Sequence, residues 1–142
     1  MIQILVADDH DIIRRGLTHM INEMDDMAVI ANAENGEEAV TKALYLQPDI
    51  VIMDIHMPRK NGIQATEEIV KKDEAIKVIM LTSDETEEAP LRSLEAGALG
   101  FLLKSDTEDD LFEAIRTVYQ GSVYLKPNIT KKLLDNYIFK GK

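Results

Sequence analysis

Five short apolar runs punctuate the chain: Ile4–Ala7, Ala28–Ala31, Ile50–Met53, Val78–Leu81 and Gly100–Leu103. Each is made mostly of β-branched or aliphatic side chains and lacks the alternation of a half-exposed strand. That pattern predicts strands buried on both faces of a parallel sheet. Between the runs, apolar positions recur at helical spacing. The stripes are Ile13, Leu17, Met20/Ile21 and Met24; Ala39, Val40, Ala43 and Leu44; Ile63, Thr66, Ile69 and Val70; Leu91, Leu94 and Ala98; and Leu111, Ala114, Ile115 and Val118. Helix-boundary signals agree. Asn35 with Glu38, and Ser105 with Glu108, read as capping boxes. Gly97 and Gly121 stand where C-terminal caps belong, and Pro48 stops the second helix. Proline is tolerated only in a helix's first turn, so Pro90 predicts that the fourth helix starts near Glu87. Glu87 and Glu88 then lie at its positive end, and the acidic stretch before it is a loop.

Strands alternating with helices predict a (βα)5 chain with right-handed crossovers and helices on both faces of the sheet. The doubly wound order 2-1-3-4-5 satisfies this, and it places ligands beyond the carboxyl ends of strands 1 and 3, where the order reverses. The expected division is an α/β domain over residues 1–121 and a tail helix over 122–142. In the tail, Ile129, Leu133, Leu134, Tyr137 and Ile138 repeat at helical spacing, and Lys126, Lys131, Lys132, Lys140 and Lys142 make it basic. Phe112 and Tyr119 fall off the main stripe of the fifth helix, on one face. They are expected to be exposed, as a partner surface or as a seat for the tail.

Composition narrows the function. Sixteen Lys and Arg against 26 Asp and Glu leave a formal charge of −10 over 142 residues. Such a charge opposes bulk binding to DNA, RNA or an anionic membrane. The absence of Cys excludes a disulfide framework, a thiolate zinc site and a catalytic thiol. No basic segment precedes the first apolar run, and no run nears the roughly 20 residues of a membrane span. A cytoplasmic protein with no membrane partner is expected.

The chemistry gathers at the predicted strand ends. Strand 1 ends in Asp8-Asp9, strand 3 in Asp54, strand 4 in Thr82, and strand 5 runs from Phe101 to Lys104. Taken singly, Asp8 and Asp9 are ordinary helix-capping residues, Asp54 a loop carboxylate, Thr82 a strand residue and Lys104 a solvated turn residue. Together on one sheet edge they form a site. Clustered carboxylates resist joint ionisation, so positive charge is expected among them. Mg2+, which takes one or two carboxylates plus water and phosphate oxygens, fits that demand. Lys104 adds a point-like cation for a phosphoryl group, and a carboxylate can itself be the nucleophile, giving an aspartyl phosphate. His10, His19 and His56 have no spacing that brings them together as a metal cluster.

Five motifs in order carry a resemblance: Asp8-Asp9, Met53-Asp54-Ile55-His56-Met57-Pro58 with Gly62, Leu81-Thr82-Ser83, Ala96-Gly97-Ala98, and Phe101-Leu102-Leu103-Lys104. From residue 2 to about 121 the chain resembles a response-regulator receiver domain. Its Asp8-Asp9-His10 and Lys104-Ser105-Asp106 segments are most similar to NarL/LuxR-type two-component regulators. The resemblance implies that Asp54 accepts a phosphoryl group from a sensor histidine kinase. It implies that Mg2+ is held by Asp9, Asp54 and the backbone carbonyl of His56, with Asp8 acting through water. Thr82 would bond a phosphoryl oxygen, Lys104 would pair with another, and Phe101 would turn inward as Thr82 moves. His56 and Asp84, each two positions after a strand-end residue, would tune the phosphoryl lifetime. Phosphorylation would switch homodimerisation and, through a helix-turn-helix DNA-binding domain that these 142 residues do not contain, transcription. The alternative output is a stand-alone receiver acting by protein contact. Ser105 follows Lys104 where many receivers carry Pro, so no cis-Pro loop is expected. A haloacid-dehalogenase-type phosphatase would need a second Asp at residue 56. A flavin or nucleotide binder would need a glycine-rich loop where Asp8-Asp9-His10-Asp11 stands.

Overall fold

The structure is a computed structural model that describes residues 1–138. Six parallel strands form one sheet: β1 Ile2–Ala7, β2 Met27–Ala33, β3 Ile50–Met53, β4 Lys77–Thr82, β5 Gly100–Leu103 and β6 Tyr124–Leu125. Their order is β2-β1-β3-β4-β5-β6, the doubly wound arrangement with one extra edge strand. The linking helices are α1 Asp11–Asn22, α2 Gly36–Leu46, α3 Gly62–Lys72, α4 Ala89–Glu95 and α5 Glu108–Tyr119. After β6, α6 Pro127–Leu133 runs on into a π-helical turn, Leu134–Ile138.

The strands read as unbroken apolar runs because both faces are covered, yet successive side chains still point opposite ways. Leu5, Ala7, Val51, Met53, Val78, Met80 and Phe101 face α2, α3 and α4. Ile4, Val6, Ile50, Ile52, Ile79, Leu81 and Leu102 face α1 and α5. Two separate cores flank one sheet. Tertiary contact thereby decides which residues of each run point where, which the composition of a run does not encode.

Several local expectations shift. Strands β2 and β4 extend beyond their apolar runs, because strand pairing carries polar residues such as Asn32 and Lys77 along with them. The fifth helix is capped by Thr107 with Asp110, in a reciprocal capping box, rather than by Ser105 with Glu108. The turn needs Asp106 for another purpose: its carboxylate accepts from the Leu103 amide at 2.9 Å, and the helix starts later. Asn35 does cap α2, accepting from the Glu38 amide at 2.8 Å, but the Glu38 carboxylate pairs with Lys42 instead of turning back. Helix α4 begins at Ala89, with Pro90 in its first turn. Phe112 is buried, packed among Leu102, Leu111 and Ile115, while Tyr119 remains exposed. The expected aromatic face on α5 is therefore not there, because the sheet-facing sector of α5 is wide enough to include Phe112.

The tail is folded. β6 pairs with β5 in parallel register, Phe101 opposite Leu125. Ile129 is buried with Ala89 and Phe101, and the Lys126 ammonium lies 3.0 and 3.1 Å from Asp106 and Asp110. Those two carboxylates hold the Lys126 pKa above its ordinary value. Lys140 and Lys142 of the predicted basic tail lie outside the described residues. Among the described residues no helix is long and apolar enough to cross a membrane.

Candidate functional site

Three strand ends are brought level by backbone bonds. The Asp54 amide donates to Ala7 at 3.0 Å, the Asp8 amide to Ala33 at 3.0 Å, and the Lys104 amide to Thr82 at 2.9 Å. Parallel register thus carries residues 46 and 50 positions apart to one rim. The side chains of Asp8 and Asp54 are 2% and 5% exposed, so neither charge can be left to solvent. The Lys104 ammonium bridges them, 2.7 Å from Asp8 Oδ2 and 2.9 Å from Asp54 Oδ2. Burial disfavours this cation, but the hydrogen bonds and charges of the two carboxylates outweigh that and hold its pKa above the ordinary lysine value.

The second oxygen of Asp8 turns to the loop. It accepts from the His10 amide at 2.8 Å and lies 2.9 Å from His10 Nδ1. The same Nδ1 is 3.3 Å from Asp9. Asp8, Asp9, His10 and Asp54 each offer a ligand atom, and these atoms all lie within 4.8 Å of one another. A cluster of three carboxylates with one ammonium keeps an excess of negative charge and presents hard oxygen donors. That donor set fits a divalent cation of the Mg2+ kind. The three histidines go to different carboxylates: His10 to Asp8 and Asp9, His19 to Glu23 and His56 to Asp84. Sequence reasoning nevertheless missed that His10 reaches the acidic cluster. Its adjacency to Asp9 was the available signal.

Thr82 is fully buried at the end of β4, and its hydroxyl accepts from the Asp84 amide at 3.1 Å. The Asp84 carboxylate accepts from the Thr86 hydroxyl at 2.6 Å and the Thr86 amide at 2.9 Å. Its other oxygen meets His56 Nε2 at 2.6 Å. The Thr86 bond, opposed by burial and assisted by His56, holds the Asp84 carboxyl below the usual range. His56 and Asp84 therefore link the loop after β3 to the loop after β4. Phe101 is already inward, 1% exposed, in the same apolar cluster as Ile129 and Ala89.

Gly62 explains how the β3–α3 loop can close so tightly on Asp54. Its amide donates to Ile55 at 2.7 Å. A Cβ there would lie 2.0 Å from the Asp54 carbonyl oxygen, inside any allowed contact. Gly62 of that sequence motif is thus a close-approach residue against the backbone of Asp54.

Comparison with known proteins places this geometry. The family model described as "Response regulator receiver domain" matches residues 4–116. The chain is 40% identical over 134 residues to the response regulator GacA of Pseudomonas protegens, covering 94% of this chain and 63% of that protein. It is 41% identical over 137 residues to the transcriptional regulatory protein LnrK of Bacillus subtilis, covering 96% of this chain and 62% of that protein. The chain therefore spans less than two thirds of the length of the curated relatives it matches. A crystal structure of a LuxR-family two-component response regulator from Aurantimonas sp. SI85-9A1 superposes with a TM-score of 0.87 at 33% identity, covering 92% of this chain and 94% of that one. Sheet order, the strand-end carboxylates and a match across most of the sequence all converge on one conclusion: the chain belongs to the response-regulator receiver domain family of two-component signalling, a phosphoacceptor rather than a turnover enzyme.

Proposed function

We propose that Asp54 is the phosphoacceptor of a Mg2+-dependent transfer from a sensor histidine kinase, and that the phosphorylated chain switches dimerisation and transcriptional output through a DNA-binding domain. The observation that carries this reading is the Lys104 bridge between the buried carboxylates of Asp8 and Asp54 on the rim shared by β1, β3 and β5. In the transfer, a carboxylate oxygen of Asp54 forms the new P–O bond as the P–N bond of a phosphohistidine breaks. The electron pair and, finally, a proton go to the leaving imidazole. Asp8, Asp9, Asp54 and the His56 carbonyl would hold the cation, which when bound supplies charge neutralisation for the phosphoryl oxygens.

Lys104 is already charged and held against Asp54, so it can move from carboxylate to phosphoryl oxygen without a change of protonation. Thr82 has a hydroxyl committed to the Asp84 amide; turning it toward a phosphoryl oxygen frees that amide and loosens the β4–α4 loop. Phe101, covered by the tail, is the side chain through which such a shift reaches the β5 edge. His56 and Asp84 cover the loops beside Asp54, a placement that supports a role in water access and hence in phosphoryl lifetime. The boundary that best suits this function leaves residues 1–121 as the receiver and 122–142 as the segment that communicates its state.

Incubation with Mg2+ and a small acyl or amido phosphate tests the reading. One phosphoryl group should add by intact mass, labile to base and absent in Asp54→Asn. No incorporation in the parent, or the same incorporation in Asp54→Asn, overturns it.

A further inference from the structure

A second cation, and a buried one, lies beneath the same rim, and the proposed transfer gives it no part. Arg14, in the first turn of α1, is 9% exposed. Helical side chains lean toward the N-terminus, so it reaches back past the start of its own helix. Its Nη1 donates to the Asp8 backbone carbonyl at 2.7 Å. Its Nη2 is held by the Asp11 carboxylate and lies 3.4 Å from Glu34 Oε1. One planar fork therefore ties the end of β1 to the start of α1 and to the residue just after β2. His10, the N-cap of α1, makes no side-chain cap bond, so the helix start has no other side-chain clasp of that kind. Only Asp8, Asp9 and His10 separate β1 from α1, and all three offer atoms to the cation cluster.

We propose that Arg14 is the positioning residue of the divalent-cation site: by holding the Asp8 peptide oxygen, it aims the Asp8 and Asp9 carboxylates. The proposal rests on the reading of this rim as a Mg2+-dependent phosphoacceptor site. Asp8 is then fixed from two sides, its carboxylate by Lys104 and His10 and its carbonyl by Arg14. A partner of this outer kind changes metal affinity through the direction of the ligands rather than by touching the ion.

Three roles for Arg14 make different predictions. If it acted through its charge, removing it would relieve repulsion and tighten cation binding. That effect is weak here, since Asp11 and Glu34 neutralise the guanidinium where it sits. If it were only a structural ion pair, its loss would lower the melting temperature and leave cation affinity alone. As a positioning residue, its loss weakens cation binding. Lysine keeps the charge but cannot reproduce the fork that reaches Asp8 and both carboxylates together.

The test titrates the chain with Mg2+ by calorimetry, comparing the parent with Arg14→Gln and Arg14→Lys, and follows exchange of the His10 amide, which donates to Asp8. Arg14→Gln should bind Mg2+ about 10–100-fold more weakly, and its His10 amide should exchange faster. Arg14→Lys should recover part of the affinity. Unchanged or tighter Mg2+ binding in Arg14→Gln overturns the proposal, whatever its melting temperature. If Arg14→Gln does not fold, Arg14→Lys decides alone: parental affinity overturns the proposal, and a several-fold loss supports it. A parent chain that takes up no Mg2+ overturns the phosphoacceptor reading itself, and this one with it.

Discussion

Lys104→Met isolates the charge at the centre of the site, because methionine keeps most of the apolar stem and removes only the ammonium. In the parent that ammonium makes two charge-assisted bonds, at 2.7 and 2.9 Å, to carboxylates that are almost wholly buried. Removing one partner of a buried ion pair costs about 3–5 kcal/mol, because the remaining charge is stranded. Here two carboxylates are stranded, so the upper half of that range applies. At roughly 4 °C per kcal/mol near this chain length, the metal-free variant should melt about 15–20 °C below the parent. The deficit has a pH signature. The folded-state pKa of Lys104 is raised above its ordinary 10.5, so the stabilisation it brings is complete below that value and is lost as pH rises through the raised one. The gap between parent and variant should therefore stay constant from neutral pH to about 10 and narrow above it. Mg2+ should raise the melting temperature of the variant more than that of the parent, since a divalent ion replaces the missing charge and no longer competes with the ammonium. A tenfold gain in affinity would add about 1.4 kcal/mol at saturating Mg2+. Thermal melts by circular dichroism across pH, with and without Mg2+, read all three effects. A variant within about 1 kcal/mol of the parent in stability, or a larger Mg2+ shift in the parent, would mean that Lys104 does not neutralise the two carboxylates.

Other perturbations probe neighbouring features. Gly62→Ala places a methyl group against the Asp54 carbonyl and should cost about 1–3 kcal/mol while slowing phosphoryl uptake; parental melting and uptake together would show that the loop has room to spare. Asp84→Ala removes the carboxylate that joins His56 of the β3 loop to Thr86 of the β4 loop, leaving the residue-84 amide on the Thr82 hydroxyl, so the decay rate of the phosphorylated chain should change several-fold, with decay at the parental rate counting against a role for that link. Ile129→Ala should cost about 2–4 kcal/mol, felt locally: the Tyr124 amide, which donates to Leu99 at 2.8 Å, should exchange far faster while the amides of β1 and β3 keep their protection. Equal loosening of the whole sheet would mean the tail is an integral part of the core.

The apolar runs and helical stripes were enough to determine five strands and five alternating helices on both faces of a parallel sheet, and the 2-1-3-4-5 order is a winding that satisfies the right-handed crossovers they require. The identity of the strand-end residues also marked out the acidic cluster of the candidate site. Asp8, Asp54 and Lys104 are separated by up to 96 positions, yet each follows an apolar run directly, with Asp9 one residue further on, so parallel register had to bring them to one rim. Tertiary structure decided what depends on side-chain direction and long-range reach. It sent Phe112 inward, because the buried sector of a helix is set by the width of the surface it meets. It moved the cap of α5 to Thr107, because Asp106 was drawn to the Leu103 amide. It laid the tail along β5 through one pair of backbone strands and one buried isoleucine, contacts whose partners are remote in sequence. It also aimed Arg14 back under Asp8, a contact that the apolar stripe of α1 conceals, since a helical pattern records which face is buried and not which atom a long side chain finds there.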